Sequence, residues 1–598
     1  MINITDKSKC CGCNACGDIC PKSAISFKTD IEGFWYPQVD QKKCVDCGLC
    51  EKVCPVINID TLKKNDYRDP ICYAAEHKNI EVVFDSTSGG LFSALADVIY
   101  KNGGYVGGAI YNDDFSVRQF ISNDKKDLEK LRSSKYLQSN LEGFYSQVNN
   151  LVKKGEKVLV CGAPCQMAGL RAFLGKDYSN LIIVDYVCRG INSPKVWRKY
   201  LDSYEERYGS KVVYCKAKSK EYGWRNLTQK VVLANGKVYY ETKDHNDFTK
   251  GYLRTNAFCR PSCYDCHFKG FPRIADISLA DFWGIEKVNK TMDKNLGTSL
   301  VLINSKKGQE YFESVKPRLN YIQVPFEKAL SDNPALTKPI DSPKVDRDAF
   351  FRDLNRLNFT QLAEKYFRST NNSLKKSISW KLRQFKSLYE SVGLNPISWL
   401  RLLRYNSIAE IYRGDVMVVG SHCVVNIHKT ATIEKHGMSF IGRKIKFNKS
   451  KLETRLCVDA NAKLYLGEGT VIGYGSDVEV FKNANLRFDG KGGSNIGLTI
   501  VCGNQIRIGM HTMMGRNVTI RDNNGGHYLN RVGYKDTRPV IIGDKVWLCE
   551  QSTIMPGVKI GDGAIVGACS FVTTNVPAFC LVSGTPAQVV DKEILWKY

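Results

Sequence analysis

Nine cysteines fall within the first 54 residues, and eight of them repeat one spacing twice. They run Cys10, Cys13, Cys16 and Cys20 before Pro21, then Cys44, Cys47, Cys50 and Cys54 before Pro55. Each run is C-x2-C-x2-C-x3-C-P. A four-iron cubane needs four thiolates at tetrahedral corners. A tight C-x2-C-x2-C turn sets three sulfurs on one cluster, and the cysteine before the proline reaches the other. The spacing assigns Cys10, Cys13, Cys16 and Cys54 to one 4Fe-4S cluster, and Cys44, Cys47, Cys50 and Cys20 to a second. Cys11 is left without a role. A zinc or disulfide module is the bland competitor, but zinc sites seldom carry triple runs of this kind. Such a chain moves electrons, and two clusters in line imply a wire to something further along.

This spacing is that of bacterial two-cluster ferredoxins, and residues 1–60 resemble that module, which implies a small α+β fold. At 598 residues the chain is long enough for about three or four domains. Its hydrophobic content of 43% is ample for real cores. The 23 cysteines follow cluster spacings and not a disulfide framework. The sequence shows no charged-then-apolar leader pattern and no apolar run of membrane-spanning length. The expectation is a cytoplasmic protein in a reducing setting, with the inner face of the cell membrane as a further place of work. The net charge of +25 invites a nucleic-acid reading. That count treats ligating thiolates as neutral and omits the anionic clusters. Nucleotide cofactors also recruit Lys and Arg, and no nucleic-acid motif is present. No nucleic-acid partner is therefore expected, while peripheral contact with an anionic membrane stays open.

Residues 70–340 mix short apolar runs with helical ones. Lys157-Val158-Leu159-Val160 and Leu181-Ile182-Ile183-Val184 read as buried strands, each followed by a loop carrying cysteine. Cys161 and Cys165 follow the first and Cys188 the second. Cys259, Cys263 and Cys266 form a C-x3-C-x2-C group. Strand ends converging on a cofactor are an ordinary α/β arrangement, and six cysteines suffice for one more cluster with two to spare.

Six segments carry a resemblance here: Ser86-Thr87-Ser88-Gly89-Gly90-Leu91-Phe92, Ser133-Ser134-Lys135-Tyr136, Gly162-Ala163-Pro164-Cys165-Gln166, Asp185-Tyr186-Val187-Cys188, Cys263-Tyr264-Asp265-Cys266 and Asp281-Phe282-Trp283-Gly284. Together they resemble the beta subunit of the coenzyme F-420 (deazaflavin) hydrogenase/dehydrogenase family. The resemblance implies an α/β domain binding FAD and one 4Fe-4S cluster. Carried over by position, it implies Cys165, Cys188, Cys263 and Cys266 as ligands. Cys161 and Cys259 are then spares, and either remains an alternative for the fourth place. Ser88, Gly89 and Gly90 precede an apolar helical run, where bare N–H groups suit the FAD pyrophosphate. Lys135 and Tyr136 offer charge and a ring surface to the flavin, with a solvated lysine and a packed tyrosine as the plain alternative. A flavin beside clusters converts between one- and two-electron transfer. The hydride acceptor, any use of the deazaflavin and the external electron donor or acceptor are not visible. Bacterial forms of the family, some associated with surface-polysaccharide synthesis, resemble this chain more than the hydrogenase subunit does.

Residues 345–412 read as a basic helical connector. Lys375, Lys376, Lys381 and Arg383 interleave with Trp380, Phe385, Trp399 and Leu400, and Asn395-Pro396 is a break between helices. From 415 to 598 apolar residues recur every six positions: Leu466, Ile472 and Val478; Ile496, Cys502, Ile508, Met514 and Ile520; then Ile542, Leu548, Ile554, Ile560, Val566 and Val572. A hexad places one inward side chain per face of a triangular coil, which is a parallel β-helix. The register breaks between Ile520 and Ile542, and an insertion from a solenoid maps to a loop on one face. That loop carries Asp522, Gly526 and His527.

Residues 415–598 resemble hexapeptide-repeat acetyltransferases with a left-handed β-helix. Their loop pattern matches Asp522 and Gly526-His527, and Gly584-Thr585-Pro586-Ala587 matches their closing motif near the coenzyme A arm. The resemblance implies acetyl-CoA as cosubstrate, a homotrimer with sites between subunits, and His527 as the base that takes the proton of an acceptor hydroxyl. Asp522 either orients that ring or holds the loop. Trp547 packs at the pantetheine groove or fills a corner. The combined expectation is a multidomain, bifunctional enzyme. An iron–sulfur/FAD oxidoreductase is joined to an O-acetyltransferase acting on a small-molecule or lipid-linked sugar hydroxyl in surface-polysaccharide synthesis. The alternatives are a redox enzyme or electron carrier with the β-helix as trimerising scaffold, or an acetyltransferase whose clusters are structural or sensory.

Overall fold

The computed structural model describes residues 1–62, 65, 67–368, 386, 388–393, 395–444, 449–525, 527, 535–592, 594 and 596. Gly526 of the loop motif and Lys375, Lys376, Trp380, Lys381, Arg383 and Phe385 of the connector lie outside them. The chain divides into two compact units, Met1–Asn371 and Asn372–Tyr598.

In the first unit, β1 (Ile25–Thr29) and β2 (Trp35–Val39) form an antiparallel hairpin, with the eight spaced cysteines on the turns around it. The strands that follow are β3 (Ile71–His77), β4 (Tyr105–Tyr111), β5 (Val117–Ser122), β6 (Ser139–Asn140), β7 (Val158–Gly162) and β8 (Leu181–Tyr186). Next come β9 (Val212–Ser219), β10 (Thr228–Leu233) and β11 (Val238–Glu241), an antiparallel three-stranded sheet. Last are β12 (Ile277–Asp281), β13 (Ser299–Ile303) and β14 (Leu319–Val324). The main sheet has nine strands in the order β14-β3-β13-β12-β8-β7-β4-β5-β6. Its centre is parallel: β12 with β8, β8 with β7, and β7 with β4.

A parallel sheet covered on both faces needs continuous apolar strands, and Val158-Leu159-Val160 and Leu181-Ile182-Ile183-Val184 are buried throughout. On one face Leu159, Ile182 and Val301 meet Leu95 and Ile99 of the helix Leu91–Lys101 and Phe312 of the helix Lys306–Val315. On the other, Val158, Val160 and Ile183 meet Phe144, Val148, Met167 and Leu170. Cys11, Cys13, Ala15 and Val53 join that second layer, so the N-terminal module is part of the sheet's own core. Polar contacts fix its orientation. Asp18 accepts from the backbone N–H groups of Gly143 and Tyr145 at 2.8 and 3.0 Å, at the start of the helix Phe144–Lys153, where a negative charge is favoured. Glu32 pairs with Arg347 at 2.6 Å.

Residues 347–367, within the expected connector, pack Phe350, Phe351, Phe359 and Phe367 against Trp197, Phe248 and Phe258 of this unit. The helices Pro396–Tyr405 and Ile408–Arg413 fall in the second unit, the first opening at Asn395, whose side chain accepts from the Ile397 N–H.

The second unit is a parallel β-helix with three stacked sheets. Leu466, Phe488, Ile508, Ile542 and Ile560 stack on one face. Val478, Ile500, Ile520, Ile554 and Val572 stack on another, and Met514, Leu548 and Val566 on the third. All are buried. Ile496 is a correction: it is half-buried, and Ser494 holds the inward place beside Met514. From Ile542 to Ile560 the coil is three hexads. From Leu466 to Phe488 and on to Ile508 it is longer, so counting back from Cys502 in sixes lands on a corner.

Candidate functional site

Four cavities and loops gather the chemistry-bearing residues. Cys20, Cys44, Cys47 and Cys50 line one small cavity under the β1–β2 hairpin, together with Pro21, Ile25 and Val39. Cys10, Cys16 and Cys54 approach one another beside it, and burial, aided by these neighbours, pushes the Cys16 thiol far up. Cys13 is turned toward Cys11, its sulfur filling the space a side chain would need at Gly169.

A second cavity lies where loops leave β7 and β8. It is lined by Cys165, Cys188, Cys263 and Cys266, and also by Cys11, whose sulfur hydrogen-bonds with those of Cys13 and Cys165. Cys161 and Cys259 are not in this lining. Arg260, Lys269 and Arg273 are, and such cations suit an anionic cluster. Burial holds the thiols of Cys188 and Cys263 up at about 12. Among the described residues no three His, Cys, Asp or Glu side chains converge on one point as the ligands of a single ion do.

A larger cavity of about 460 Å³ opens at the C-terminal ends of the parallel strands, where α/β sheets place ligands. Its volume is that of an organic cofactor site. Cys161 and Gly162 come from β7, Tyr186 and Val187 from β8 and its exit, Ala280 and Asp281 from β12, and Gly108 and Ala109 from β4. Ser88, Gly90 and Leu91 bring the N-terminus of the helix Leu91–Lys101 to its edge. Gly90 has φ +84° and opens that helix without a side-chain cap. Gly89 is absent from the lining. A Cβ there would stand 2.4 Å from the Ala75 carbonyl oxygen, so Gly89 serves the close approach of chain to β3 and β13.

Lys135 and Tyr136 line the cavity. The Lys135 ammonium donates to the carbonyls of Lys130 and Arg132 at 2.7 and 2.9 Å, and burial lowers its pKa to about 7. Further charge comes from Lys218, which pairs with Asp281 and lies 5.8 Å from the Tyr136 ring and 5.4 Å from that of Trp283. Trp283 stacks on Trp224 at 4.5 Å. Lys220 donates to the Ser88 carbonyl at 2.6 Å and fixes the helix entry. Lys218 and Lys220 sit on and just past β9 and carry no sequence motif. The cluster cavity and this one share Cys188, Arg189, Gly190, Ile191 and Ala335. They are two sides of one wall.

In the β-helix, Asp522 is fully buried. Its carboxylate accepts from the backbone N–H groups of Gly503, Asn504 and Gln505 at 2.6, 2.8 and 2.7 Å. The inserted loop starts there and is closed by a bridge between Asn523 and Thr537. His527 is exposed on that loop. Trp547 projects outward from its rung, 41% exposed, 5.8 Å from the Trp596 ring. Gly584 and Ala587 face each other across Thr585-Pro586 at the tip of the final hairpin, Cys580–Gly584 with Ala587–Lys592.

The architecture so defined is a cysteine-rich module on a centrally parallel nine-stranded sheet, and a separate unit built as a parallel β-helix. Comparison with known proteins is specific segment by segment. Residues 9–58 match the 4Fe-4S dicluster domain, residues 155–325 the C terminus of the coenzyme F-420 hydrogenase/dehydrogenase beta subunit, and residues 539–574 the bacterial transferase hexapeptide repeats. The chain is 32% identical over 119 residues to galactoside O-acetyltransferase of Escherichia coli, which covers 20% of this chain and 55% of that one. It is 27% identical over 143 residues to a putative lipopolysaccharide biosynthesis O-acetyl transferase of the same organism, covering 22% and 73%. The chain thus spans little more than half of the first relative. Among solved structures, a chain of the F-420-reducing hydrogenase complex from Methanosarcina barkeri aligns over 52% of this chain and 94% of its own, at 17% identity and a TM-score of 0.31.

Proposed function

We propose that this protein is a bifunctional enzyme, an iron–sulfur flavoprotein oxidoreductase and an acetyl-CoA-dependent O-acetyltransferase. The observation that carries the redox half is the shared wall: the cavity lined by Cys11, Cys165, Cys188, Cys263 and Cys266 abuts the 460 Å³ cavity at the strand ends. Cys165, Cys188, Cys263 and Cys266 would hold a third cluster beside the two of the N-terminal module, and the larger cavity would hold FAD. Its pyrophosphate suits the N–H groups at Gly90 and Leu91, while Tyr136, Tyr186 and Trp283 supply ring surfaces. Bound there, a flavin exchanges single electrons with clusters and pairs of electrons with a substrate. The ion pair of Lys218 with Asp281 sets the polarity of the wall.

In the acetyltransferase half, His527 takes the proton of an acceptor hydroxyl as its oxygen attacks the thioester carbonyl. The carbon–sulfur bond breaks, and coenzyme A leaves as the thiol with that proton. Asp522 fixes the root of the loop, and Trp547 and the Gly584–Ala587 turn offer surface to the cosubstrate. A sugar acceptor in surface-polysaccharide synthesis is supported by the relatives named for galactosides and for lipopolysaccharide synthesis; the left-handed homotrimer follows from the resemblance to hexapeptide-repeat acetyltransferases.

The test is anaerobic purification with iron and sulfide analysis and flavin extraction. About twelve irons and one FAD per chain are expected for three clusters and a flavin. About eight irons and no flavin would remove the redox-enzyme reading of residues 70–340.

A further inference from the structure

Arg260 heads the largest fully buried side chains, and its place in the cluster-cavity lining is only part of its reach. It stands between Cys259 and Cys263, its backbone N–H held by the Ile191 carbonyl at 2.8 Å. Its side chain leaves that loop and enters the N-terminal module. Nε donates to the Cys10 carbonyl at 2.9 Å and Nη2 to the Trp35 carbonyl at 3.1 Å. Nη2 also lies 3.6 Å from the Cys10 sulfur. Nη1 donates to Gln138 Oε1 at 2.9 Å, and the guanidinium covers the Tyr36 ring at 4.2 Å.

Gly12 makes room for this approach. Its φ is +70°, and a Cβ there would stand 2.9 Å from Arg260 Cζ and 2.5 Å from Gln138 Nε2. The same guanidinium lines the cavity of Cys165, Cys188, Cys263 and Cys266. Among the described residues its hydrogen-bond partners are neutral oxygens and the Cys10 sulfur. A buried cation without a carboxylate partner is costly, unless anionic neighbours offset it.

We infer that Arg260 sets the reduction potentials of two clusters at once, the one held through Cys10 and the one in the Cys165–Cys266 cavity. The inference rests on the cluster reading above. Reduction adds one electron to a cluster, and a buried cation against its thiolates stabilises that added charge. Without the cation both potentials fall. The cavity of Cys20, Cys44, Cys47 and Cys50 is not lined by Arg260, so its cluster is an internal reference.

The experiment is an EPR-monitored titration of the anaerobically purified full chain against a chemical reductant, with iron counted beforehand. A wild-type chain with fewer than about twelve irons lacks one of the three clusters and sinks the cluster reading itself, and this inference with it. With iron retained, Arg260→Gln is expected to move two potentials to more negative values and leave one in place. Arg260→Lys, which keeps the charge, is expected to move them less. Unchanged potentials in Arg260→Gln, or an equal shift in all three, overturn the inference. Where Arg260→Gln does not fold, Gln138→Glu decides. It sets a carboxylate on Nη1, and the same two-potential fall is expected; unmoved potentials overturn the inference.

Discussion

His511 occupies a corner of the β-helix with φ +56°. Burial first, and the charges of Lys491 and Lys545 next, lower its pKa from 6.5 to about 4. Below pH 6.5 the unfolded chain takes up a proton that the folded chain refuses until about pH 4. Stability tied to this residue is complete above pH 6.5 and is lost as pH falls through about 4. His511→Asn tolerates the same left-handed backbone and abolishes that dependence. Its thermal midpoint is expected to drop less than that of the wild type between about pH 7 and about pH 4.5; parallel curves would dispose of the argument. At Gly12 a side chain is excluded twice, by φ and by Arg260. Gly12→Ala is expected to cost about 1–2 kcal/mol from backbone strain alone and to displace the guanidinium, read as a lower anaerobic melting temperature. Cys10 and Cys11 show where reading residues stops. Spacing proposes Cys10 as a cluster ligand, but only the fold reveals that its neighbour Cys11 turns to Cys165. An arginine between cysteines reads as surface charge until the module it enters is known.

At the scale of elements, the β-helix was legible wherever coils are three hexads long. After Ile542 each six-residue step lands on an inward side chain. In the longer coils before it, strands such as Asp477–Val480 carry two inward residues, Val478 and Val480, and the count drifts onto Ile496. Buried strands β7 and β8 were equally plain from their unbroken apolar runs. Small polar positions were not: Gly89 looked like a phosphate-binding residue and turned out to be packed on β3. The inserted loop gives a sharper test. Asp522→Asn turns an amide N–H toward donors that need an acceptor, and is expected to cost on the order of 2–3 kcal/mol, seen as a lower melting temperature of the second unit. His527→Ala should leave that melting temperature unchanged while lowering acetyl transfer about 100- to 10,000-fold. An Asp522→Asn protein of native stability but without activity would move Asp522 from holding the loop into the chemistry.

Across the whole molecule, the two units have separate cores, and the proposed function gives each its own chemistry. Cys188 lines both the cluster cavity and the larger one. Replacing it strikes the redox half at the wall the two sites share. Cys188→Ala is expected to lower iron by about four per chain and to slow flavin reduction by an external donor, with acetyl-CoA turnover intact. His527→Ala is expected to do the reverse: full iron and flavin content, normal flavin reduction and acetyl transfer lowered about 100- to 10,000-fold. Both assays run on the full chain, so each variant is the other's control for folding. If His527→Ala leaves acetyl-CoA turnover as it was, the β-helix serves as a scaffold and the first unit carries the function alone. If Cys188→Ala silences acetyl transfer as well, in a folded protein, the two halves act on one substrate in sequence. The redox step must then supply the hydroxyl that His527 deprotonates, which makes a carbonyl reduced to an alcohol the first substrate to try.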